Sequence, residues 1–178
     1  NDRQQLARLA VEMTPQYFDW IKAQAIRTQM SILGGTSPRK VGNDIVNTAI
    51  LAFPNGEVIL QDKLFMTPSE KEWEWTPGTT LKVFQTPWGK TAITTCFDCE
   101  YPGVSNLLTT KNIDMLLVPS WTSTEQGLNR VEWTSRARAV EQHTYVVKTG
   151  TVPSPTDSEH FGLATIVTPQ DSGFPTTI

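Results

Sequence analysis

Residues 91–102 read Thr-Ala-Ile-Thr-Thr-Cys-Phe-Asp-Cys-Glu-Tyr-Pro, and residues 114–119 read Asp-Met-Leu-Leu-Val-Pro. The first stretch is a β-branched run, Thr91 to Thr95, that leads directly into Cys96 and then into turn-forming residues. The second is a continuous apolar run, as expected of a strand buried on both faces.

Working outward, Arg130 to Gln142 lacks glycine and proline and carries alanines among its arginines, which predicts a helix. Strands follow at Thr144 to Thr149 and Leu163 to Val167. Upstream, Lys82 to Gln85 reads as a strand and Thr86-Pro87-Trp88-Gly89 as a turn. Ile45 to Phe53 and Val58 to Leu60 flank Pro54-Asn55-Gly56, the pattern of a hairpin. Lys63 to Gly78 reads as irregular. Thr14-Pro15 predicts a helix start, with Tyr17, Phe18, Ile21, Ala25 and Ile26 on one face. Met30 to Leu33 then predicts a short strand stopped by Gly34-Gly35. Strands alternating with two or three helices indicate an α/β or α+β sandwich.

The chain has 178 residues, 38% hydrophobic and 19% charged, which suits one domain over 1–178 with a single sizeable core. The formal charge of −3 has no basic run behind it, so neither nucleic acid nor an anionic membrane is an expected partner. No apolar stretch approaches the length of a membrane span, and a cytoplasmic protein is expected. Cys96 and Cys99 are the only cysteines. With His143 and His160 isolated in sequence, no zinc site is expected. A redox Cys-x-x-C needs a helix start at its first cysteine, whereas Tyr101-Pro102-Gly103 reads as a turn, so Cys99 is expected to be a buried neighbour.

Cys96-Phe97-Asp98-x-Glu100-Tyr101-Pro102 resembles the nucleophile motif of the nitrilase superfamily of carbon–nitrogen hydrolases. Three further segments are similar to that family in the same order. Lys63-Leu64 with Glu70 resembles its lysine segment. Asp114 to Ser120 resembles its buried strand ending in Pro-Ser. Arg136-Ala137-Arg138-Ala139-Val140-Glu141-Gln142 with Tyr145-Val146-Val147 resembles its helix-to-strand motif.

The resemblance implies a four-layer αββα sandwich, incomplete in this chain, that pairs into homo-oligomers. It also implies a Glu–Lys–Cys triad acting on a small amide, carbamoyl or nitrile compound through a cysteine thioester, with no metal or organic cofactor. Cys96 would be the nucleophile, Lys63 a fixed cation that favours the thiolate and the oxyanion, and Glu70 the residue that positions lysine and substrate. The N–H of Phe97 would be an oxyanion donor, and Trp121 a wall of the substrate pocket.

The family's general-base glutamate lies on an early Pro-Glu segment. Glu12 has no proline before it and is not assigned that role, so the base is expected upstream of residue 1, with the C-terminus also expected to be cut. Other readings of these residues compete. Lys63 and Glu70 could be a surface ion pair. Asp98 and Glu100 more often brace a turn. Arg136, Arg138 and Glu141 suit structural ion pairs, the histidines are expected to be structural, and Trp73, Trp75 and Trp133 suit packing. The rival to a hydrolase is a catalytically inactive binding or assembly module of the same fold.

Overall fold

The computed structural model describes residues 2–153 and 160–175, with side-chain environments from residue 5 onward. The chain divides into two compact units, residues 1–80 and 81–178. In the first, α1 (Asp2–Arg8), a π-helical turn (Leu9–Met13) and α2 (Thr14–Thr28) follow one another without a break. The helix therefore begins before Thr14, not at it. Thr14 is itself helical (φ −61°, ψ −41°). Its buried hydroxyl lies 2.8 Å from Ser37 Oγ and donates to the Pro38 carbonyl at 2.6 Å, tying the helix to a strand instead of capping it. A proline lacks the N–H that an α-helical ladder needs, and the π-helical turn just before Pro15 is where that ladder is rearranged.

Strands β1 (Ile32–Val41), β2 (Asp44–Ala52) and β3 (Val58–Asp62) form an antiparallel sheet in that order. The glycines do not stop β1. The strand continues through them by a bulge between Leu33 and Thr36, which Gly35 accommodates at φ +70°. Ile21 and Ala25 of α2 pack on Ile50 and Ala52, with Tyr17, Phe18, Ile32, Val58 and Leu60 around them. A Cβ on Gly34 would come within 2.9 Å of Ile21, so a bare backbone is what lets the helix settle on the sheet. The segment after β3 is not irregular throughout, because Pro68–Glu72 forms a single helical turn, α3.

The second unit is a five-stranded sheet, β4 (Val83–Thr86), β5 (Gly89–Ile93), β6 (Met115–Ser120), β7 (Tyr145–Gly150) and β8 (Thr165–Val167), in that spatial order. β5, β6 and β7 run parallel, and the two outer strands pair antiparallel. Ala92, Ile93, Leu116, Val118 and Val146 are fully buried in its centre. α4 (Pro102–Thr109) follows the cysteine motif, where the sequence suggested only a turn; Pro102 occupies the first helical position, which its fixed φ suits. α5 (Glu125–Gln142) starts five residues earlier than expected, because the Thr124 hydroxyl accepts the Gly127 N–H at 3.0 Å.

Candidate active site

The cysteine motif leaves the sheet between β5 and α4. Thr94 N–H still donates to the Leu117 carbonyl at 3.0 Å, so the chain stays on β6 to within two residues of Cys96. A 3-10 turn then spans Cys96–Glu100. Cys96 opens it at φ +49°, a left-handed conformation that costs a non-glycine residue about 1–2 kcal/mol.

That strain is held by contacts on every side of the turn. The Asp98 carboxylate accepts the Thr95 N–H at 3.0 Å, Cys99 Sγ lies 3.2 Å from Thr134 Oγ1 of α5, and Glu100 pairs with Arg130 of α5 at 3.2 Å. Phe97 meets Tyr101 edge to face at 5.1 Å. Phe97 is the second residue of the turn, where a helical N–H has no acceptor within the helix.

The two cysteines have opposite environments. Cys96 is half-buried and its Sγ lies 3.6 Å from the Trp121 carbonyl. Cys99 is 1% exposed, and burial pushes its thiol up to about 12, with the Thr134 hydrogen bond opposing only part of that. A helical turn does begin at Cys96, contrary to the turn read from Tyr101-Pro102-Gly103. Cys99 is thus the buried neighbour expected of it, and both cysteines are free thiols.

Trp121 is 54% exposed, and its Nε1–H donates to His160 Nδ1 at 2.8 Å. His160 thus has a partner the sequence did not indicate. His143 pairs with Asp171 at 3.0 Å on the surface. Trp73 and Trp75 pack on each other with centroids 5.3 Å apart, whereas Trp133 is 66% exposed within this chain.

In the first unit, Lys63 and Glu70 are not a surface pair. They are 3% and 5% exposed, and Lys63 Nζ donates to Glu70 Oε2 at 2.6 Å. The lysine backbone is clamped as well: its N–H donates to the Asn47 carbonyl at 2.8 Å, and its carbonyl accepts the Gly78 N–H at 2.7 Å. Thr67 and Glu70 make a reciprocal capping box at the start of α3. The Glu70 carboxylate also accepts from Thr67 Oγ1 at 3.0 Å and from Asn47 Nδ2 at 2.8 Å. Burial alone would raise the Glu70 pKa. The Lys63 charge and hydrogen bond, then the Thr67 N–H and Asn47, outweigh it and hold the carboxyl below its ordinary range.

One buried ion cluster escaped the sequence reading. Lys148 of β7, 1% exposed, lies 2.6 Å from Glu132 of α5, which also pairs with Arg136 at 2.7 Å. A lysine inside the apolar run Tyr145-Val146-Val147-Lys148 was the available signal. Arg138 and Glu141 pair at 2.6 Å as expected. Glu12 is exposed and bonded to Arg8 at 2.7 Å. Among the described residues no cluster of His, Cys, Asp and Glu could hold a metal ion, and no helix is long and apolar enough to cross a membrane.

The structure thus brings Lys63 and Glu70 together in one unit, and Cys96, Phe97 and Trp121 in the other. The family model described as carbon-nitrogen hydrolase matches residues 1–171. This chain belongs to the carbon-nitrogen hydrolase family. It is 33% identical over 154 residues to the probable hydrolase YhcX of Bacillus subtilis, covering 85% of this chain and 30% of that protein. It is 26% identical to the omega-amidase NIT2 of Xenopus tropicalis, over 78% of this chain and 54% of that one. The chain therefore spans about a third to a half of the length of these two relatives.

Nitrilase-superfamily structures share the fold. An amidase from Nesterenkonia sp. superposes with a TM-score of 0.81 at 19% identity, over 94% of this chain and 64% of that chain. A mutant of that amidase shows covalent addition of the acetamide moiety of fluoroacetamide at its active-site cysteine. At such low identity this likeness establishes the α/β, two-sheet fold of the carbon-nitrogen hydrolase family and not an activity.

Proposed function

We propose that this member of the carbon-nitrogen hydrolase family hydrolyses a non-peptide carbon–nitrogen bond in a small amide, with Cys96 as nucleophile. The observation that carries the reading is Cys96 itself, held at φ +49° where a parallel strand gives way to a braced turn. Strain of this kind persists only where the surroundings impose it, and it re-aims the side chain away from the strand it follows. The Nesterenkonia amidase, modified by fluoroacetamide at its own cysteine, supports the same assignment.

The chemistry follows from the residue types. The Cys96 thiolate adds to the amide carbon and the carbonyl becomes an oxyanion. The C–N bond breaks as the amine takes the proton that the Cys96 thiol gave up on forming the thiolate. Water then cleaves the thioester, its hydroxyl leaving in the acid and its proton returning to the thiol. Lys63 supplies positive charge to the oxyanion, and the Phe97 N–H supplies a second donor. Glu70 holds Lys63 in place through the 2.6 Å hydrogen bond between them. Thiolate, lysine, a carboxylate base and water are the groups this chemistry uses, so the reaction asks for no metal or organic cofactor.

The test is turnover of a panel of small amides, carbamoyl amino acids and nitriles by the intact protein, with intact-mass detection of an acyl adduct. Amide turnover with an adduct that vanishes in Cys96→Ala is expected. A panel with neither turnover nor adduct would refute the hydrolase and favour a non-catalytic binding or assembly module.

A further inference from the structure

β6 ends at Ser120, and the chain beyond residue 159 returns to pair with the residues that follow it. Phe161 N–H donates to the Thr122 carbonyl at 2.9 Å, and the Thr122 hydroxyl donates to the Phe161 carbonyl at 2.5 Å. Thr151 N–H reaches the Ser120 carbonyl at 3.1 Å. A Cβ on Gly162 would overlap the Thr151 carbonyl, so a bare backbone is needed for this segment to lie so close. The pairing delivers His160 to Trp121. Their rings meet edge to face at 5.4 Å, and the indole N–H is directed at His160 Nδ1.

Trp121 therefore faces two ways. Its carbonyl lies 3.6 Å from Cys96 Sγ, while its ring, more than half exposed, is fixed by His160. An indole has one polar atom, its N–H donor. Here that donor is committed within the protein, so what the exposed ring offers a ligand is apolar carbon and a π face.

Resting on the reading of Cys96 as the nucleophile, we infer that Trp121 and His160 form a recognition wall for an apolar, planar substituent of the substrate. His160 is its positioning residue: it accepts the indole N–H and so fixes the ring orientation of a residue whose own backbone carbonyl lies 3.6 Å from Cys96 Sγ. The wall selects amides with an aryl or similarly flat carbon group over those whose corresponding group is polar or small.

The experiment compares the rates at which N-phenylmaleimide and N-ethylmaleimide modify Cys96, followed by peptide mass spectrometry in the intact protein. Relative to a free-thiol standard, the phenyl reagent should be favoured about 10-fold, the usual scale of one apolar pocket contact. Trp121→Ala should remove that preference. His160→Ala should reduce it, and His160→Gln should restore it, because the amide oxygen can again accept the indole N–H. The readout is the phenyl-to-ethyl ratio within each protein, so a change in Cys96 reactivity common to both reagents cancels.

An equal preference in all four proteins, or both reagents slowed alike, overturns the wall. A Cys96 inert to both reagents overturns the nucleophile and the wall together. A phenyl preference that follows the variants, in a protein that turns over no amide, upholds the wall and refutes the hydrolase.

Discussion

Glu70→Gln changes one carboxylate oxygen to an amide nitrogen and leaves Lys63 buried without a counter-charge. In the native protein the two lie 2.6 Å apart and are 3% and 5% exposed, and the same carboxylate takes hydrogen bonds from Thr67 and Asn47. Breaking a buried ion pair from one side costs about 3–5 kcal/mol, whereas an exposed pair is worth about 0–1 kcal/mol. At roughly 2–4 °C per kcal/mol for a chain of this size, the expected fall in Tm is about 6–20 °C. Lys63→Met should cost a comparable amount, because it strands the carboxylate.

The double variant should be less destabilised than the sum of the singles by about 2 kcal/mol or more, since it leaves neither charge alone. Urea denaturation with an unchanged m-value measures all three. The pH dependence has a definite sign. Because the folded Glu70 carboxyl is depressed, its contribution is complete above the unfolded value of about 4.3 and is lost as pH falls through the folded one. Wild type and Glu70→Gln should therefore converge in acid. Single-variant losses under about 1 kcal/mol, or strictly additive losses, would refute a buried, coupled pair.

Three further outcomes follow from the geometry. Iodoacetamide at pH 7 to 9 should label Cys96 and spare Cys99, whose thiol is pushed up to about 12; equal labelling in the folded protein would contradict the buried environment. Gly89→Ala should destabilise by about 1–3 kcal/mol in urea, because Gly89 sits at φ +111° and a Cβ there would lie 2.5 Å from Asp114 Oδ2. Lys148→Met should cost about 1–3 kcal/mol at neutral pH, because Glu132 loses its buried partner and keeps only the half-exposed Arg136. Burial would raise the Glu132 carboxyl, but Lys148 and Arg136 depress it below its ordinary range, so the deficit should shrink as acid protonates Glu132; a pH-independent deficit would place its cause in packing.

Local pattern and tertiary context divided the fold between them. Thr91 to Thr95 and Asp114 to Pro119 were readable as buried strands because an apolar or β-branched run has few other uses, although the first strand ends at Ile93 and leaves Thr94 and Thr95 outside it. The β2–β3 hairpin was readable from its Pro54-Asn55-Gly56 turn. Gly34-Gly35 read as a strand end because glycine weakens a strand, yet here the pair accommodates a bulge and the close approach of Ile21. Pro102 read as part of a turn because proline and glycine punctuate both turns and helix starts. Which of these it was depended on Val104 and Leu108 finding a buried face.

The sequence by itself determined that Cys96 comes shortly after a strand, that Lys63, Glu70 and Cys96 lie in segments that resemble those of a carbon–nitrogen hydrolase, and that strands alternate with helices. Those are properties of residue type and interval, which the chain carries whether folded or not. Only the tertiary structure decided that Cys96 takes a left-handed backbone, that Glu70 is buried on Lys63, and that Lys148 finds Glu132. His160 met Trp121 only there as well. Each depends on residues brought together across the fold, where exclusion of water makes one hydrogen bond or one charge decisive.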